Sequence, residues 1–119
     1  MAEFGLNEMQ EIQKRLQDRY KDKWGALSPD EGRNQLLWMM IEIGEVADII
    51  KKKGDGRIMD NEMIRKDFVE ELCDVLMYFN NIMLCYSISP GELHKSYLKN
   101  QLQLNNHLLS VHLIITAKG

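Results

Sequence analysis

Leu36-Leu37-Trp38-Met39-Met40-Ile41-Glu42-Ile43-Gly44-Glu45-Val46-Ala47-Asp48 and Phe68-Val69-Glu70-Glu71-Leu72-Cys73-Asp74-Val75-Leu76-Met77-Tyr78-Phe79 decide the reading of this chain. Neither stretch alternates as a half-buried strand does. Both carry apolar residues at steps of three and four, the period of a helix with one inward face. Trp38, Glu42, Glu45 and Ile49 share one stripe, and Glu71, Asp74, Tyr78, Asn81 and Cys85 share another. Each stripe therefore interrupts an apolar face with two carboxylates one helical turn apart. A lone Glu-x-x-Glu means little, and Glu8 with Glu11 is read as solvated surface. Two such pairs on successive helices, both set in apolar sequence, are far more specific. Four converging carboxylates repel one another and are costly to desolvate, and a divalent cation removes that cost. An all-oxygen donor set, with no His in either motif, suits Mg²⁺ or Mn²⁺ better than zinc.

Outward from these stretches, four helical segments are expected. The first runs from about Leu6 to Trp24, with Leu6, Met9, Ile12, Leu16, Tyr20 and Trp24 on one stripe. The second opens at Ser28-Pro29-Asp30-Glu31, read as N-cap, first-turn proline and capping box, and ends at Gly54-Asp55-Gly56. Lys51, Lys52 and Lys53 in its last turn complement the helix dipole. The third runs from about Asn61 to Ser87. The fourth opens at Ser89-Pro90-Gly91-Glu92 and continues to about His107, and Leu108 to Ala117 is an apolar stretch of open assignment. Short connections between such helices predict an all-α, antiparallel four-helix bundle, a single domain over residues 1–119, completed by oligomerisation.

Composition narrows the function classes. The 119 residues are 45 % apolar and 28 % charged, as in an ordinary globular domain. Eighteen acids against fifteen Lys and Arg give a net charge of -3, which argues against a nucleic-acid polymer as partner. No apolar run approaches the roughly 20 residues that span a bilayer, so no membrane partner is expected. Cys73 and Cys85 lie roughly 18 Å apart if helical, too far for a disulfide, and read as free thiols of a cytoplasmic protein.

Glu42-x-x-Glu45, a connection of 25 residues and Glu71-x-x-Asp74 resemble the signature of the MazG-like all-α nucleoside triphosphate pyrophosphohydrolases, a superfamily that includes dimeric dUTPases and phosphoribosyl-ATP pyrophosphohydrolase. The resemblance covers about Trp24 to Asn106. It implies that Glu42, Glu45, Glu71 and Asp74 bind Mg²⁺, and that a nucleoside triphosphate is hydrolysed to monophosphate and pyrophosphate. Glu45 first, then Glu42, is the candidate to orient or deprotonate the attacking water. Lys52, Lys53 and Lys99 are candidate phosphate contacts, and for the first two a dipole role serves equally well. Asn81 is a candidate for base or sugar recognition or else a satisfied buried amide. Trp38, with Trp24 and Tyr78, is a candidate stacking surface or else core. The chain departs from the family at Ile41, where many members carry Glu. A dUTPase or phosphoribosyl-ATP pyrophosphohydrolase activity stays open, as does a non-catalytic interaction module that keeps the metal as a staple. A ferritin-like di-iron site ranks low, because no Glu has a His three residues later. The apolar first-helix stripe and tail imply a homodimer or homotetramer.

Overall fold

The computed structural model describes residues 4–118, with side chains through residue 108. Every regular element among the described residues is α-helical: α1 Leu6–Tyr20, α2 Pro29–Lys53, α3 Asp55–Asp60, α4 Glu62–Cys85 and α5 Pro90–Lys118. None of these helices is long and apolar enough to cross a membrane. The chain divides into two compact units, residues 1–87 and residues 88–119.

In the first unit α2 and α4 form the main helix pair, and α1 and α3 each pack on α4. The α2–α4 pair is antiparallel. Near the start of α2, Gly32 lies against the Tyr86 ring so closely that a Cβ there would come within 2.5 Å of a ring carbon and the ring would have to shift. Further along, Gln35 meets Asn81, and further still Glu42 meets Glu71 and Asp74. The two stripes identified in the sequence thus face each other in one continuous register.

The helix ends show where local chemistry differs from expectation. Ser28 occupies the N-cap of α2, with Pro29 at the first position, but its hydroxyl makes no cap bond. The Glu31 carboxylate accepts from the Asn34 and Gln35 side chains instead, so the expected capping box does not form. Tyr20 ends α1 earlier than expected. Trp24 lies beyond it and stacks back on the Tyr20 ring at 4.8 Å. Gly54 ends α2 at φ 82° and ψ 156°, a conformation open essentially to glycine, and its own N–H closes the helix on the Ile50 carbonyl. The connection after it is not a plain loop, because α3 begins at Asp55. Asn61 then caps α4 by accepting from the N–H groups of Met63 and Ile64.

In the second unit Ser89 accepts from the Glu92 N–H at 3.1 Å, as the fourth opening motif predicts. The helix runs past His107 to Lys118. The expected burial of Leu108 to Ile115 between subunits concerns side chains of which all but Leu108 lie outside the described residues.

Candidate functional site

The facing stripes of α2 and α4, with α1 and the loop after it, enclose a cleft of about 520 Å³ within the first unit. On α4 a step of seven positions, from Asp74 to Asn81, separates two kinds of wall by roughly 10 Å. One end is acidic and the other is made of amides.

At the acidic end Glu42 from α2 and Glu71 and Asp74 from α4 each offer an oxygen, all within 4.8 Å of one another. One oxygen of Glu71, Oε2, is sealed from solvent and has no hydrogen-bond partner among the described residues. Hydrogen bonding with Glu42 is the main influence that raises the Glu71 carboxyl above its ordinary value; desolvation and the negative charges of Glu42, Glu45 and Asp74 act in the same direction. Burial, then Glu42 and Asp74, likewise raises the Tyr78 phenol. The field at this end is strongly negative, and the donor set is hard oxygen throughout. Such a set fits a hard divalent cation, which would replace a shared proton and satisfy the orphaned oxygen.

Glu45 stands apart from the three. It is exposed on the next turn of α2 and acts on Glu71 only through its charge. The structure therefore brings together three of the four carboxylates expected from the sequence, with the fourth at the rim.

The remaining candidates divide. Trp38 and Asn81 line the cleft, and so do Trp24 and Tyr78. Lys52 pairs with Asp48 at 2.9 Å, and that bond and charge raise its ammonium above the usual lysine value. Lys53 is exposed, and its carbonyl accepts from Arg57 Nε at 2.9 Å. Lys99 is exposed on α5, in the second unit. Neither thiol is paired: Cys73 is exposed and Cys85 is buried.

The amide end contains residues that the sequence reading passed over. Gln13 Nε2 donates to Asn81 Oδ1 at 2.8 Å, and Asn81 Nδ2 donates to Gln35 Oε1 at 3.1 Å. Gln35 Nε2 then donates to Glu31 Oε1 at 3.4 Å. Three helices are thus linked by one chain of hydrogen bonds, and all four of its members line the cleft. A signal for them existed. Glu31 and Gln35 extend the Trp38–Glu42 stripe backward at helical steps, and Gln13 interrupts the Met9–Leu16–Tyr20 stripe of α1.

Compared with known proteins, the chain matches no family model, no curated protein and no solved structure.

Proposed function

We propose that this protein hydrolyses a nucleoside triphosphate to the monophosphate and pyrophosphate, with Mg²⁺ or Mn²⁺ as cofactor, as a member of the MazG-like all-α pyrophosphohydrolases. The observation that carries the reading is the orphaned Glu71 oxygen, held beside Glu42 and Asp74, which line one end of a cleft with aromatic and amide walls. Glu42, Glu71 and Asp74 would hold the cation. When bound, it neutralises charge on the phosphate chain and fixes that chain's position. The residues then divide the work. Trp38 and Trp24 offer faces for stacking a base, and the amide end of the cleft offers polar atoms to its edge. Glu45, outside the cluster and open to water, orients the attacking water and accepts its proton. The new bond joins the water oxygen to the α-phosphorus; the bond that breaks is the bridge to the β-phosphate, and pyrophosphate leaves.

The four-helix bundle of the proposed family would be completed by a second copy of the chain. Leu37, Met40 and Ile43 on α2 and Val69 and Leu72 on α4 are exposed, more apolar surface than a monomer ordinarily leaves uncovered. Light scattering should then give a dimer or tetramer at about tens of micromolar.

The test of the activity is a panel of nucleoside triphosphates with Mg²⁺, scored for products. Monophosphate and pyrophosphate are expected. Diphosphate with orthophosphate as main products, or no hydrolysis of any member, overturns the assignment.

A further inference from the structure

The hydrogen-bond chain at the amide end has a direction, and its direction is set by charge. Amide side chains can ordinarily be turned end for end, exchanging donor and acceptor. Here the last member is Glu31, and an ionised carboxylate only accepts. Gln35 must therefore present its NH₂ to Glu31, as it does at 3.4 Å. That leaves Gln35 Oε1 toward Asn81, which must answer with its own NH₂. Asn81 Oδ1 is then the atom facing α1, and Gln13 must donate to it, as it does at 2.8 Å. The chain ends at Gln13 Oε1, a carbonyl oxygen that accepts no hydrogen bond among the described residues. Gln13 is only 8 % exposed, and it lines the cleft. Every link agrees with the one polarity that Glu31 permits.

We infer that Glu31 acts through Gln35 and Asn81 to fix Gln13 Oε1 as a hydrogen-bond acceptor for the ligand, so that the cleft selects a heterocycle presenting an N–H donor to it. The donor is an exocyclic amino group, as on cytosine or adenine, or a ring N–H, as on uracil. Glu31 is a positioning residue and Gln13 is the recognising one. The inference rests on the reading of the cleft as a nucleotide site, but it concerns the base end only and is independent of hydrolysis.

Binding of free nucleosides separates the two. Side-chain amide signals of ¹⁵N-labelled protein, followed during titration without metal, give affinities for cytidine against N4,N4-dimethylcytidine and for uridine against 3-methyluridine. The first pair tests an amino donor and the second a ring N–H. In at least one pair the blocked nucleoside should bind about tenfold more weakly, because the Gln13 acceptor loses its donor and meets a methyl group instead. Glu31→Gln keeps the shape but lets the whole chain reverse, so that Gln13 can offer NH₂. In that variant the preference should fall to about twofold or less. Gln13→Met, of similar length, removes the acceptor without touching α2 and should abolish the same preference. Equal affinity for blocked and free nucleosides in both pairs, or no binding of any of them, overturns the inference. So does a preference left intact by Glu31→Gln. Pyrophosphate release by the same protein reports separately on the hydrolytic reading.

Discussion

The two ends of the cleft are built from the same pair of helices and solve opposite problems. At the amide end, donors and acceptors from three helices meet in sequence, so each link among Gln13, Asn81, Gln35 and Glu31 pairs a donor with an acceptor. Such a network is satisfied link by link and leaves only the Gln13 carbonyl oxygen without a donor. At the acidic end, about two helical turns away, Glu42, Glu71 and Asp74 supply only acceptors, and Glu71 Oε2 has no donor at all. An arrangement of that kind is poor as packing, because its deficit has to be met from outside the cluster, by a proton, a hydrogen-bond donor or a cation. The contrast teaches which polar clusters in a helical protein call for a ligand. On the proposed reading the acidic end does so because its oxygen is orphaned, whereas the amide end does so only through the Gln13 carbonyl, which accepts no bond within the network.

The largest expected effect comes from removing one acid of the cluster. Glu42→Gln should lower pyrophosphate release by about a hundredfold or more, the range seen when a charge-stabilising group is lost from a reaction centre. The same variant should lose most of the Mg²⁺-induced stabilisation, which for the unaltered chain is about 2.7 kcal/mol at a hundredfold excess over Kd. Glu45→Gln sharpens the comparison, since Glu45 lies outside the cluster. Its thermal shift with Mg²⁺ should stay near that of the parent while turnover falls, as suits a residue acting on water rather than on the cation. Thermal melts with and without Mg²⁺, beside a product assay, read both variants. Equal loss of the Mg²⁺ shift in the two would place Glu45 among the ligands after all.

A smaller effect is expected at the other end. Asn81→Leu removes the central member of the network and leaves Gln13 Nε2 and Gln35 Oε1 without their partners. Each unpaired group costs about 1–3 kcal/mol when buried, and cleft water relieves part of this, so a loss of about 2 kcal/mol is expected in urea melts. The Mg²⁺ response should be unchanged. A diminished response would show that the two ends are one coupled site.

Much of this was legible in the sequence because helix period and residue type carry it. The steps of three and four around Glu42 and Glu71 gave the helices and the shared faces, and the acids within them gave the cluster. The helix α3 was hidden because its six residues lie between Gly54 and Asn61, too short a run to show a period. Glu45 was grouped with Glu42 because a step of three places two residues roughly 60° apart around the axis, near enough to share a stripe and far enough to part at its edge. The amide network was missed for a different reason. A glutamine on an apolar stripe looks like a tolerated exception, and only the pairing of helices shows that Gln13, Gln35 and Asn81 meet.

The smallest effect, and the one that isolates charge at the acidic end, is the pH dependence of stability without metal. The Glu71 carboxyl is raised in the folded protein, chiefly because its protonated form can hydrogen-bond to Glu42, and then by desolvation. In the unfolded chain it titrates near the ordinary glutamate value of about 4.3. Between that value and the raised one, the folded state binds more protons than the unfolded state, so stability falls as pH rises through the window. Below the window Glu71 is protonated in both states and contributes no slope. Above it the carboxylate is ionised in both, and the repulsion is present in full and constant. Glu71→Gln removes the titration, so the stability of the parent relative to this variant should decline with rising pH across that window and then level off. Added Mg²⁺ should reverse the trend, because ionised carboxylates bind the cation and protonated ones do not. Urea melts of both proteins from about pH 4 to pH 8, a range that brackets the ordinary carboxylate value, supply the comparison. A difference that stays flat, or that grows in favour of the parent as pH rises without metal, would mean that Glu71 is not crowded by Glu42, and the acidic end would then lack the deficit that sets it apart from the amide end.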